Sequence, residues 1–230
     1  MTIPLLLLPG LLCDARLWRD CLPEGADPRI ADLSLDDSVA AMAARAIALM
    51  DDAPSFAVAG LSMGGYVAFE AFRKAAPRIS HLALFDTSAR PDTPEQTQRR
   101  RGLISLAQTG RFRGVTPRLL PQLIHPSRLG TPLAGEVLEM AARIGQEAFL
   151  RQQQAIMSRP DSRPLLRSIA VPTLVAVGEA DILTPPELAE EMAAGIRGAK
   201  LVRFPGSGHL PTMEAPQAAR AALEAWLAHA

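Results

Sequence analysis

Hydrophobic positions along the chain follow two rhythms. Ile3–Leu8 is a continuous apolar run closed by Pro9-Gly10, which reads as a strand buried on both faces, as in a parallel sheet. Arg29–Leu35 reads as a weaker second strand. Ser38–Met50 sets Val39, Met42, Ala46 and Leu49 at helical spacing, with Asp37 or Ser38 placed to cap the first turn. Ser55–Ala59 is a third strand, ended by Gly60. Met63–Ala76 is a helix stopped by Pro77, and Ile79–Phe85 is a fourth strand.

Between Asp86 and Val171 the strand-like runs vanish and Pro, Arg and Gln become frequent. Helical stripes replace them: Leu103, Leu106 and Ala107, then Leu119, Leu120, Leu123 and Ile124, then Val137, Met140, Ile144 and Ala148. The alternation then resumes with a strand at Val171–Val177, a helix at Pro186–Gly195, a strand at Lys200–Phe204 and a helix at Pro211–Ala228. Strands alternating with helices imply an α/β fold with a mostly parallel sheet and helices on both faces, because parallel neighbours need crossover connections. The expected division is a core of residues 1–88 and 169–230 carrying a helical insertion at 89–168. No internal repeat or low-complexity tract interrupts this plan.

A length of 230 residues suits one large domain, or one domain with an insertion. With 48% hydrophobic residues the chain can bury a sizeable core. Lys+Arg 24 against Asp+Glu 24 leaves no net charge, so the surplus of clustered cations that nucleic-acid binding needs is missing. Arg99-Arg100-Arg101 is the one dense basic patch and reads first as a solvated face. Cys13 and Cys21 are too few for a disulfide framework and lack metal-ligand spacing, which suits a reducing compartment. The apolar start does not read as a secretion signal or lipoprotein site. It lacks a basic flank, Pro9-Gly10 breaks it, and Leu12 is not the small residue that cleavage requires. No run approaches 18 apolar residues, so no membrane span is expected. The expectation is a soluble, cytoplasmic protein.

Candidate chemistry begins at Gly60-Leu61-Ser62-Met63-Gly64. This G-x-S-x-G lies between a strand and a helix, where a tight turn strains the serine backbone and lifts its hydroxyl off the sheet. The same turn aims the Met63 amide, at the positive end of the helix, toward whatever the hydroxyl attacks. The plainer alternative is a glycine-rich turn with an N-cap serine.

A serine needs a neighbouring base. His81 opens a strand, His125 precedes a proline in the insertion, and His229 is next to the last residue. His209 instead sits in Gly206-Ser207-Gly208-His209, after a strand and at the carboxyl edge of the sheet, where ligands of open parallel sheets bind. The base in turn needs an orienting carboxylate. Asp181, in the loop after Val171–Val177, is the favoured candidate. Asp86, ending the fourth strand, is its rival, with helix or loop capping as its structural alternative. Glu179 comes too early in its turn.

The chain order serine, aspartate, histidine, with the G-x-S-x-G turn, resembles the α/β-hydrolase superfamily. The resemblance extends through Leu5–Gly10, Gly60–Gly65, Val171–Pro185 and Gly206–Pro216, with an insertion at the family's usual cap position. Within the superfamily the chain is similar to small capped esterases and acyl hydrolases. That resemblance implies Ser62 as nucleophile, Asp181 as acid, His209 as base, and the amides of Leu11 and Met63 as oxyanion hole. Many members have His-Gly where this chain has Pro9-Gly10. The chain starts at what looks like the family's third strand, so about six strands are expected, without an opening hairpin.

The implied activity is hydrolysis of carboxylic esters through an acyl-enzyme. The same triad also supports carbon–carbon hydrolysis or a lyase step in relatives, and some members are binding modules with negligible turnover. Dehalogenase and epoxide-hydrolase chemistry are disfavoured because those relatives use aspartate as nucleophile. Neither a metal nor a cofactor is implied. The expected partner is a small-molecule ester. Phe112, Leu119, Leu120, Leu123, Ile124, Met140, Ile144, Phe149 and Met157 could line an acyl pocket, although most of them read as ordinary packing. Arg99, Arg100, Arg111 and Arg113 could attract an acidic carrier protein or a carboxylate.

Overall fold

Strand β1 (Ile3–Leu8) displays the organising principle of the molecule. Leu6 and Leu8 enter one apolar cluster while Leu5 and Leu7 enter another, because successive strand side chains point to opposite faces. The computed structural model describes residues 2–229. In it, β1, β2 (Ala26–Ile30), β3 (Phe56–Leu61), β4 (Ile79–Phe85), β5 (Thr173–Gly178) and β6 (Lys200–Phe204) form one sheet in the order β2-β1-β3-β4-β5-β6. Every pairing is parallel. The α/β fold with a parallel sheet matches the alternation, and its six strands match the number that the family resemblance implies.

Helices cover both faces. The first cluster joins α1 (Val39–Ala48), α2 (Met63–Ala75) and α6 (Pro186–Gly195) to the sheet. The second packs the Trp18 loop and α8 (Pro216–Leu227) against the other side. Because β1 lies between β2 and β3, the chain reverses its direction of growth there. The loops leaving β1 and β3 therefore diverge around a crevice at the carboxyl edge, the usual ligand position in such sheets.

Three local readings are corrected. The second strand is Ala26–Ile30 instead of Arg29–Leu35. It pairs with β1 from Ile3↔Ala26 to Leu7↔Ile30, and Pro28 is tolerated because an edge strand need not donate on its outer side. The final helix is two helices, α7 (Pro211–Glu214) and α8. Ala215, at φ −134° and ψ 56°, breaks them apart, since a residue before proline is pushed out of the helical region. The Leu119–Ile124 stripe forms only a single 3₁₀ turn at Leu120–Gln122, interrupted by Pro121.

Between β4 and β5 lie α3 (Pro94–Leu106), α4 (Pro132–Met157) and the short α5 (Arg163–Leu166). α3 is held by a reciprocal capping box between Thr93 and Gln96 and buries none of its residues fully. α4 runs 26 residues but breaks at Gly145 (φ 78°, ψ −179°), a conformation open to glycine and few others.

Candidate active site

A single residue, Ser62, reverses the chain between β3 and α2, with φ 55° and ψ −116°. Such a backbone costs on the order of 1–3 kcal/mol for a non-glycine residue and needs surrounding support. The Ser62 N–H donates to the Phe85 carbonyl at 2.9 Å, and the Ser62 carbonyl accepts from Thr87 Oγ1 at 2.8 Å and from the Gly65 N–H at 2.9 Å. A Cβ on Gly60 would overlap the Gly64 carbonyl, and one on Gly64 would overlap the Leu8 carbonyl. The motif's glycines thus permit close backbone approach. Ser62 stands at the N-cap of α2, but its hydroxyl makes no capping bond to the helix.

That hydroxyl lies 2.9 Å from His209 Nε2. His209, carried by the loop after β6, reaches Asp181 Oδ2 through Nδ1 at 2.8 Å. Asp181 is 3% exposed. It also accepts from the Leu183 N–H (2.8 Å), the Thr184 N–H (3.2 Å) and Thr184 Oγ1 (2.7 Å). Burial by itself raises the Asp181 carboxyl. The facing His209 charge and the bonds from His209, Thr184 and Leu183 outweigh it and hold the group below the ordinary aspartate value. The imidazole thus lies between the two groups, with Nδ1 on Asp181 and Nε2 on the Ser62 hydroxyl.

Asp86 occupies the neighbouring strand end. It is fully buried with φ 43°, and its Oδ1 accepts from the Gly178 N–H at 2.8 Å. Oδ2 has no hydrogen-bond partner among the described residues. Burial, then the adjacent Asp181 charge, pushes its carboxyl well above the ordinary value, against the opposing pull of the Gly178 amide. Asp86, Asp181 and His209 bring ligand-type atoms within 4.8 Å of one another. His209 Nδ1 and both Asp181 oxygens are nevertheless spent on each other, Leu183 and Thr184, which leaves few lone pairs for a metal.

The remaining histidines lie elsewhere. His81 contacts Ser80 Oγ and the His229 carbonyl, while His125 contacts Ser127 Oγ. Glu179 is exposed.

Glu214 escaped the sequence reading. It is 3% exposed, and its carboxylate accepts the amides of Gly208 (2.9 Å), Leu210 (3.2 Å) and His125 (2.7 Å). It grips the His209 loop on both sides of the histidine and ties it to the helical segment. Burial raises its carboxyl despite those three donors. The single acidic residue between Pro211 and Pro216 was the available signal.

A cavity of about 220 Å³ opens over Ser62 and His209. From the expected acyl stripe, Leu119, Leu123, Met140 and Phe149 line it. Phe112 packs behind on Phe149 with ring centroids 5.1 Å apart, Leu120 and Ile124 enter the sheet core, and Ile144 joins a cluster around Leu12 and Phe149. Met157 borders a separate surface groove. Leu103, Leu183 and Leu12 line the cavity instead. The first two are 38% and 36% exposed, which places them at the mouth.

Gly10 runs beside the nucleophile, since a Cβ there would lie 3.5 Å from Ser62 Cβ. The next residue, Leu11, lines the cavity, and its N–H donates to no acceptor among the described residues. Met63 is the first residue of α2, where an N–H has no intrahelical acceptor.

Of the four arginines, Arg99 lines the cavity, Arg100 is paired with Asp92, and Arg113 is exposed. The Arg111 side chain lies outside the described residues. Among the described residues no helix is long and apolar enough to cross a membrane.

A parallel sheet with a strained serine turn and a serine–histidine–aspartate line at its carboxyl edge defines the hydrolase architecture anticipated from the motif. Residues 5–223 match the alpha/beta hydrolase family, and the chain belongs to it as a hydrolase. It is 30% identical over 183 residues to the pimeloyl-[acyl-carrier protein] methyl ester esterase of Neisseria meningitidis serogroup B, covering 77% of this chain and 70% of that protein. A thermophilic esterase from Thermogutta terrifontis superposes with a TM-score of 0.88 at 31% identity, over 99% of this chain and 90% of that one. The enol-lactonase of Burkholderia xenovorans LB400 has a TM-score of 0.89 at 22% identity, over 100% of this chain and 92% of that one, a likeness of fold alone.

Proposed function

We propose that this chain hydrolyses carboxylic esters by two-step acyl transfer, with Ser62 as nucleophile, His209 as general base and acid, and Asp181 as the orienting acid. The observation that carries the reading is the His209 imidazole bridging Ser62 Oγ at 2.9 Å and Asp181 Oδ2 at 2.8 Å. Ser62 Oγ attacks the ester carbonyl while Nε2 takes its proton. The carbonyl oxygen, now negative, is received by the Met63 and Leu11 amides. Collapse expels the alcohol, protonated by His209, and leaves an acyl-serine. Water, deprotonated by the same imidazole, repeats the sequence and releases the acid. Residues 89–168 act as a cap over the cavity, and its aliphatic lining takes an apolar acyl group.

A carrier-bound acyl substrate is a second reading. Arg99 supports it, since it lines the cavity and forms no ion pair among the described residues, as does the Neisseria relative, whose named substrate is a carrier-protein ester. Arg99→Ala should raise KM for a carrier-bound methyl ester at least several-fold and leave the free methyl ester unchanged.

The primary test uses a short p-nitrophenyl ester. The wild-type protein should show a burst followed by steady turnover, and Ser62→Ala should keep the fold and lose at least about 10⁴-fold in kcat. Persistence of near-wild-type turnover in Ser62→Ala overturns the assignment. Labelling of Ser62 by a fluorophosphonate without steady turnover of any ester would favour a binding module.

A further inference from the structure

The loop that follows β1 is braced by a residue 140 positions away. Gln152, on the second half of α4, is 1% exposed. Its Oε1 accepts the Leu12 N–H at 3.0 Å and its Nε2 donates to the Leu33 carbonyl at 3.2 Å. Leu12 holds a left-handed backbone, φ 59°, which a branched side chain adopts only when its surroundings dictate it. The Leu12 side chain is 5% exposed in an apolar cluster with Ala107, Ala141 and Phe149, all from the segment between β4 and β5, and Leu11 packs on its margin. The turn is closed locally by the Cys13 N–H donating to the Gly10 carbonyl at 3.1 Å, and the Leu11-Leu12 backbone within it is braced from the helical segment by one buried amide and one small core.

We infer that Gln152 is a positioning residue for the oxyanion hole. By holding the Leu12 amide it fixes the peptide plane next to the Leu11 N–H, so the cap shapes the site that receives negative charge as well as covering it. The inference rests on the proposed role of Leu11. Oxyanion donors act only when their geometry is set before charge develops, and a misplacement of about 1 Å costs on the order of 100-fold. Neighbouring Arg151 ties the same helix to the loop after β2, which also accepts Gln152 Nε2 at Leu33, through the Ser34 carbonyl (2.8 Å) and without touching Leu12, which provides a control for simple anchoring.

The test compares an ester with its thionoester, whose sulfur accepts hydrogen bonds poorly. An intact oxyanion hole therefore favours the oxygen substrate strongly, and a loosened one does not. Gln152→Leu should lower kcat for the ester at least tenfold, leave KM within about threefold, and reduce the ester-to-thionoester ratio by a similar factor. Gln152→Glu, which still offers an oxygen to the Leu12 N–H, should keep the ratio within about threefold of wild type. Arg151→Ala should leave rates and ratio within about twofold.

Equal losses on both substrates in Gln152→Leu, or no loss, would overturn the role of Gln152. If Gln152→Leu does not fold, the similarly sized Gln152→Met, which offers no oxygen to the Leu12 N–H, decides: an unaltered ratio there overturns the inference and a reduced ratio supports it. Failure of the underlying reading is separate, since it shows as turnover surviving in Ser62→Ala. A silent Ser62→Ala with an unaltered ratio in Gln152→Leu removes only the present inference.

Discussion

The ends of β4 and β5 lie side by side, and each carries a buried aspartate. At the end of β5, Asp181 receives His209, the Thr184 hydroxyl and two amides, and stays ionised below the usual carboxylate range. At the end of β4, Asp86 receives one amide, faces Asp181 with no donor on its Oδ2, and is pushed far up. Burial is nearly equal at the two positions. The count of donors separates them, because a low-dielectric site tolerates a carboxylate only when dipoles and counter-charges replace water. The pair therefore divides into one charged acid bonded to the imidazole and one acid that favours its proton.

The sharpest way to break this contrast is to neutralise the charged member. Asp181→Asn should lower kcat by roughly 10³–10⁴-fold with the fold retained, because the amide favours the wrong imidazole tautomer. Steady-state ester kinetics check this, and a loss under tenfold would point to Asp86 as the working acid. Next in size is the third buried acid. Glu214→Ala strands the amides of Gly208, Leu210 and His125, and should cost about 3 kcal/mol in denaturant unfolding. It should also slow turnover through a loosened His209 loop. Thr184→Val removes one donor from Asp181 Oδ2 and should cost about tenfold in kcat.

The smallest expected effect is on pH dependence. A carboxyl raised in the folded state binds its proton more tightly there than in the unfolded chain, so its stabilisation is complete below the ordinary value of 3.8 and fades as pH rises through the raised folded value. Asp181 runs the other way, contributing above 3.8 and losing its contribution as pH falls through its depressed value. Asp86→Asn should therefore reduce the fall in Tm as pH rises from the ordinary value of 3.8 through the raised folded one, with kcat within about fivefold of wild type. An unchanged slope would show that Asp86 is ionised in the native protein.

Much of the core was legible in the sequence because its determinants are local. The run Ile3–Leu8, the glycines around Ser62 and the cap at Ser38 each act within a few residues. Ser38 Oγ indeed accepts from the Ala41 N–H at 3.3 Å. Nearest-neighbour chemistry was less informative where proline met an edge strand, as at Pro28, or where apolar residues served a cavity mouth. Leu103 looks like a core residue on a helical stripe, yet it stands 38% exposed beside the site.

By itself the sequence determined the alternation, the tight serine turn and the chain order of serine, aspartate and histidine. These follow from side-chain period, steric room at glycine and loop position. Only the tertiary structure decided that Asp181 gathers four donors while Asp86 gathers one, that Glu214 grips the His209 loop, and that Gln152 holds Leu12. Each of those depends on groups as many as 140 positions apart sharing one dry space, where an unmet hydrogen bond is costly and a met one fixes geometry.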